Sequence, residues 1–278
     1  MALAVTLLFL LVEVVGGLVA GSLALLADAA HMATDAAALV LALVAMRIAR
    51  RGPTAARTYG HRRAEVLAAL ANGVVLGAVS VQVVVEAIGR FGGRAQVEGG
   101  VMLGVAALGL AANAAAALVL AGKREHGLNM RGAFLHVVGD ALGSVGAIAA
   151  AAAILAWGWT WADPAVAIAI ALLILVSAFR LVRESLDVLM EGAPAHVDVE
   201  AYAASIRSVP GVLDVHDLHV WTLTSGFDAA SAHVDVRPEA DAHAVLHHLG
   251  DLSERRFGIA HTTFQLEPRA PLLQIEDA

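Results

Sequence analysis

The chain has no cysteine among its 278 residues. This removes disulfides, thiolate catalysis and every cysteine-based zinc site, so any metal must be held by histidine and carboxylate. Charge is scarce as well. Asp, Glu, Lys and Arg make up 15% of the residues, where a soluble domain carries about 25%. The shortage is uneven: residues 1–190 hold nearly all the long apolar runs, while 192–278 read as an acidic soluble domain. Glu191-Gly192-Ala193-Pro194 marks the change, which divides the chain into a membrane domain over 1–190 and a soluble domain over 191–278. Three motifs are also missing. No Gly-x-x-x-x-Gly-Lys-Ser/Thr is present for a nucleotide, and no His-Glu-x-x-His for an intramembrane metalloenzyme. No basic segment precedes the first apolar run, which therefore reads as a retained helix rather than a cleaved signal. Neither an enzymatic activity nor a nucleic-acid partner is expected.

About six apolar runs are long enough to cross a hydrocarbon core, which takes roughly 20 residues. They cover 2–20, 23–48, 66–88, 101–120, 134–157 and 164–182, rich in Gly and Ala that suit close helix approach in lipid. The loops carry an orientation signal. Arg47, Arg50, Arg51, Arg57, Arg62 and Arg63 follow span two, Lys123, Arg124 and Arg131 lie between spans four and five, and Arg180 and Arg183 close span six. The opposite loops hold only Arg90 and Arg94. The positive-inside rule places the basic loops and the C-terminal domain in the cytoplasm. Trp157, Trp159 and Trp161 then sit at the far interface.

Ionisable groups inside spans cost about 2.5–3.5 kcal/mol each and so point to function. Span two carries His31 and Asp35, and span five carries His136 and Asp140, both as His-x-x-x-Asp. Residues four apart share a helix face, so each span presents an imidazole and a carboxylate to one side. Two such helices facing each other supply two nitrogen and two oxygen ligands, a set that suits tetrahedral Zn²⁺. Asp28, one turn before His31, is a partner behind the ligands or an entry-path carboxylate. Glu13, Asn72, Gln82, Glu86 and Asn113 read as interhelical hydrogen-bonding groups.

Together with 21–29 (GSLALLADA), 59–65 (YGHRRAE) and 215–221 (VHDLHVW), these pairs resemble the cation diffusion facilitator family, bacterial zinc/cobalt/cadmium efflux type. The resemblance covers essentially the whole chain. It implies a homodimer of six-span protomers in the bacterial cytoplasmic membrane, surrounded by lipid, each with a cytosolic ferredoxin-like domain and exchanging metal for protons. Zn²⁺ is then the substrate and a regulatory ligand, with no prosthetic group. The chain departs from some members in lacking a His-rich cytosolic loop. His61 is the one obvious candidate ligand in the loop after span two.

From 199 onward the pattern reads helix (199–208), strand (213–223), strand (227–236), helix (241–257) and strand (261–266), a two-layer α+β domain. Strand alternation puts His233 on the face away from Ala232, Val234 and Val236. It sets His261, Gln265 and Glu267 opposite Thr262, Phe264 and Leu266, and it places His216 and His219 on opposite faces. His216, His233, His261 and Glu267 are the candidate cytosolic metal ligands; His219 and Asp217 are left outside that set. Arg63 and Glu191 are expected to form a charge pair linking span three to the domain.

Overall fold

A computed structural model describes residues 2–91, 96–121 and 128–269, without the side chains of 2–6, 120, 128–133, 135 and 136. Six helices come first: α1 (Ala2–Ala20), α2 (Leu23–Ala49), α3 (Ala64–Phe91), α4 (Gly99–Ala121), α5 (Leu128–Trp157) and α6 (Ala162–Leu189). The domain that follows has the order α7 (Val199–Arg207), β1 (Val212–Thr224), β2 (Phe227–Val236), α8 (Ala242–Phe257) and β3 (His261–Pro268). Contacts divide the chain into two compact units, Met1–Val44 with Ala68–Val182, and Ala45–Leu67 with Arg183–Ala278. The second unit thus draws in the segment between spans two and three, which the composition assigns to the membrane part.

The first unit is built inside out compared with a water-soluble bundle. Its interior is mostly alanine: Ala24, Ala27, Ala87, Ala106, Ala150, Ala151 and Ala167 are buried, whereas Leu18, Leu43, Val85, Leu118, Leu173 and Phe179 are exposed. Leaving a large apolar side chain in water forfeits about 1.5–3 kcal/mol of burial energy. Hydrocarbon removes that penalty, and small interior residues then let the helix backbones approach. A Cβ at Gly73 on α3 would lie 2.9 Å from Val182 Cγ2 on α6, so glycine sets the spacing there. Among the described residues, five helices are long and apolar enough to cross a membrane, and α1 contributes a shorter apolar stretch, Leu7–Ala20.

In the second unit the strands form one mixed sheet in the order β1-β2-β3. β1 runs antiparallel to β2, and β2 parallel to β3. Asp198 and Asp241 cap α7 and α8 by accepting N–H bonds in their first turns, and Gly258 ends α8 in the left-handed region at φ 73°. The helices bury Tyr202, Ile206 and Leu249 against Val215, Ala232 and Val234. The Tyr202 and Ser253 hydroxyls meet inside this core at 2.7 Å, so the one polar tip of a buried tyrosine is satisfied. Burial raises the Tyr202 phenol above its ordinary value, and the Ser253 bond partly offsets this.

Simple alternation fails in β1. Asp217 has φ 48°, His216 pairs with His233, and His219 pairs with Ser231. Three steps on β1 match two on β2, which is a β-bulge. The extra residue reverses the parity of the strand, so His216 and His219 share a face instead of lying on opposite faces. It also lets Val215, Leu218 and Val220 all pack on the core.

Candidate metal centres

In the first unit, α2 and α5 bring their polar residues together. His31 Nε2 lies 3.6 Å from Asp35 Oδ2 on its own helix and 3.6 Å from Asp140 Oδ1 on α5. Four ligands at about 2.0–2.1 Å around Zn²⁺ stand roughly 3.4 Å apart along the edges of the tetrahedron. Both measured edges are within a few tenths of an ångström of that spacing. His31 is therefore placed at metal-ligand separation from both Asp35 and Asp140. The side chain of His136 falls outside the described residues.

The backbone around this trio is tied down locally. Thr34 donates from its hydroxyl to the carbonyls of His31 (2.7 Å) and Ala30 (3.1 Å), and the Ser144 hydroxyl donates to the Asp140 carbonyl at 3.2 Å. Asp28 is buried at 7% exposure and faces α5, where a Cβ on Gly143 would lie 3.8 Å from its Oδ1. Glu13 on α1 is 4% exposed, and its Oε2 has no hydrogen-bond partner among the described residues. A Cβ on Gly109 of α4 would come 3.1 Å from its Oε1. Glycine at 109 thus leaves room for the Glu13 carboxylate, whereas the 3.8 Å at Gly143 is an ordinary contact.

The second unit holds a separate cluster on the sheet face away from the core. His233 Nδ1 and Glu267 Oε1 are 2.7 Å apart, His216 Nε2 and Glu267 Oε2 are 3.6 Å apart, and the two imidazoles lie 5.2 Å centre to centre. Two overlapping sets have all their ligand atoms within 4.8 Å: His216 with Asp217 and His233, and His216 with Asp235 and Glu267. The His233 hydrogen bond holds the Glu267 carboxyl below the usual range, with a smaller contribution from Gln265. This carboxylate is therefore kept ionised, as metal binding requires.

Three residues stand differently from the sequence expectation. His261 pairs with Ala229, four residues along β3 from Gln265, the partner of His233. That is about 13 Å along a strand. Its ring instead packs against Tyr59 at 5.7 Å and Phe227 at 5.6 Å, so the structure does not bring His261 to the cluster. Asp217 and Asp235, outside the expected set, do reach it. Asp217 does so because of the bulge, and Asp235 although it also pairs with Arg269 at 3.3 Å.

The segment from Ala45 to Leu67 is tied to this unit by side chains. Arg63 Nη2 donates to Glu191 Oε1 at 2.9 Å, the Thr224 hydroxyl donates to Glu65 Oε2 at 2.7 Å, and the Arg62 guanidinium sits 4.1 Å over the Phe227 ring. The expected Arg63–Glu191 contact is thus present as geometry. His61 lines a cavity of about 1080 Å³ together with Arg57, Arg62, His219 and Trp221, and its Nδ1 has no hydrogen-bond partner among the described residues.

Two family descriptions match the chain: the cation efflux transmembrane domain over residues 1–190 and the cation efflux protein cytoplasmic domain over residues 194–269. The zinc transporter ZitB of Escherichia coli is 46% identical over 96% of this chain and 85% of its own length. The metal cation efflux system protein CzcD of Cupriavidus metallidurans is 43% identical over 100% of this chain and 88% of its own. The cadmium, cobalt and zinc/H(+)-K(+) antiporter of Bacillus subtilis is 39% identical over 94% and 86%. A solved metal-bound C-terminal domain of the CzcD transporter from Cupriavidus metallidurans is 36% identical, covers 26% of this chain and 99% of its own, and superposes with a TM-score of 0.25. The chain belongs to the cation efflux (cation diffusion facilitator) family, as a multi-pass membrane protein with its C-terminal domain in the cytoplasm.

Proposed function

We propose that this protein exports Zn²⁺ from the cytoplasm in exchange for protons, as a homodimer with six helices crossing the membrane in each protomer. The observation that carries the reading is His31 lying 3.6 Å from both Asp35 and Asp140 inside apolar helices. Any desolvated cation there meets two carboxylates and an imidazole, which offset the cost of leaving water. His136, one turn before Asp140, is the fourth ligand in this reading, and Asp28 orients the group or leads the ion in. No enzymatic step is needed, because four protein ligands leave no position for an activated water.

Coupling follows from ligand chemistry. A metal takes imidazole only in its neutral form, so a proton and Zn²⁺ compete for the same nitrogen. Histidine titrates near ~6.5 when unperturbed, within reach of both sides of a cytoplasmic membrane. When the helices rock and the site opens outward, protons displace the metal; when it opens inward, metal displaces protons. Each tenfold proton gradient adds about 1.4 kcal/mol per proton exchanged.

The cytoplasmic domain, ferredoxin-like in its α-β-β-α-β order, serves as a dimerising and regulatory module. Zinc at His216, His233 and Glu267, joined by Asp217 or Asp235, neutralises acidic surface and draws two copies together. Zinc uptake into proteoliposomes, measured with an imposed pH gradient, tests the central claim. Uptake is expected to rise when the vesicle interior is acidic and to stop in the double variant His31→Ala, Asp35→Ala. Transport that ignores the gradient overturns proton exchange, and transport by the double variant overturns the site.

A further inference from the structure

Asp163 is the second residue of α6, and it has no exposed surface. Its Oδ1 accepts from the Ser22 hydroxyl at 2.5 Å and from the Ala24 N–H at 3.1 Å, and its Oδ2 accepts from the Leu23 N–H at 2.8 Å. Ser22 and Ala24 are as fully buried as Asp163. Leu23 and Ala24 open α2, where the first backbone N–H groups lack partners inside their own helix. A carboxylate at that end is also favoured by the helix dipole. The cap of α2 is therefore supplied by another helix, from 141 residues away in the chain.

The turn just before α2 is held from two more sides. Arg90 of α3 donates to the Gly21 carbonyl at 2.7 Å while bonded to Glu86 at 2.8 Å. The Glu98 N–H, just ahead of α4, donates to the Ala20 carbonyl at 2.8 Å. Gly21 has φ 64°, and a Cβ there would sit 2.7 Å from the Gln96 carbonyl oxygen. The far end of α6 leads into the cytoplasmic domain, so this braced junction lies at the outer end of the bundle.

His31 is seven residues beyond Ala24, about 10 Å along the helix. A tilt of about 10° at the junction moves His31 by roughly 2 Å, and a misplacement of ~1 Å can cost on the order of 100-fold in a positioned site. We propose that Asp163 is a positioning residue for transport. Its three bonds tie the outer end of α2 to α6 and resist a tilt there, so His31 and Asp35 keep their distance from Asp140. This rests on the reading of those three residues as metal ligands.

The variant Ser22→Asp with Asp163→Ala separates pinning from capping. It keeps a capping carboxylate at the start of α2 but cuts the tie to α6. Zinc uptake by equal amounts of folded protein in proteoliposomes is expected to show KM raised by at least about tenfold. Ser22→Ala, which removes one of the three bonds, is expected to raise KM by about two- to threefold. Wild-type KM in the double variant overturns the proposal, and so does a fall in Vmax alone, the signature of a purely structural role. Should the double variant fail to fold, the isosteric Asp163→Asn decides by the same KM criterion. Asp35→Ala in the same assay keeps the two readings apart. Normal transport by Asp35→Ala sinks the ligand assignment. A dead Asp35→Ala beside wild-type KM in the pin variants sinks the pin alone.

Discussion

Replacing Asp35 by alanine tests the transport site at its simplest point. Asp35 Oδ2 lies 3.6 Å from His31 Nε2, and its side chain is 32% exposed. Truncation therefore leaves no large buried cavity, and alanine is the best helix former, so α2 keeps its shape. What goes is a charged ligand. Removing groups that only orient a ligand already costs about 10–100-fold in metal affinity. Losing the ligand itself is expected to cost at least the upper end of that range, 100-fold, or about 2.8 kcal/mol. Asp35→Asn keeps an oxygen donor without its charge and is expected to fall between wild type and alanine. The assay is zinc flux into proteoliposomes over a concentration series wide enough to reach the raised KM, with folding checked by gel filtration. If Asp35→Ala shows KM within about twofold of wild type, a change of only ~0.4 kcal/mol, the ligand assignment is wrong, whatever happens to Vmax.

The cytoplasmic cluster makes a contrasting pair of predictions. In an Asp35→Ala background, Glu267→Gln is expected to weaken zinc binding by about 10–100-fold in a calorimetric titration, while His261→Ala leaves it unchanged; the reverse order refutes the ligand set. For Arg63–Glu191, with side chains 35% and 63% exposed, a double-mutant cycle on thermal stability should give a coupling of about 0.2–1 kcal/mol. High salt should erase that coupling. The acid stability of the same unit depends on Asp214, whose carboxyl the Arg207 hydrogen bond holds below its ordinary value, and on Glu267, lowered by His233. A lowered folded-state value means stabilisation that is complete above the ordinary carboxylate range and lost as pH falls through the lowered value. Hydrogen exchange of β1 and β2 in the intact protein should therefore speed up on acidification, and less so in Asp214→Asn; equal acceleration in both removes this account.

Local spacing carried most of what was legible. His-x-x-x-Asp on a helix needs only the 3.6-residue repeat to put imidazole and carboxylate on one face, and the closeness of His31 to Asp35 follows from it, whereas Asp140 reaches His31 only through the approach of α5 to α2. The helix and strand order of the C-terminal domain was legible for the same reason, since period and turn residues are local signals. The cytoplasmic ligand set was only half legible, because it depends on register. One extra residue at Asp217 reverses the side-chain parity of β1, bringing Asp217 to the cluster and turning His219 to the same face as His216. His261 has the right face but the wrong height along β3, and only the pairing of β2 with β3 reveals that. Asp163 was not legible at all. An acidic residue beside Pro164 at the start of an apolar run looks like the cap of its own helix, whereas its carboxylate caps α2. A single sequence marks which residues carry charge into a membrane. Which helix end that charge serves depends on contacts across 141 residues, and no periodicity encodes such a contact.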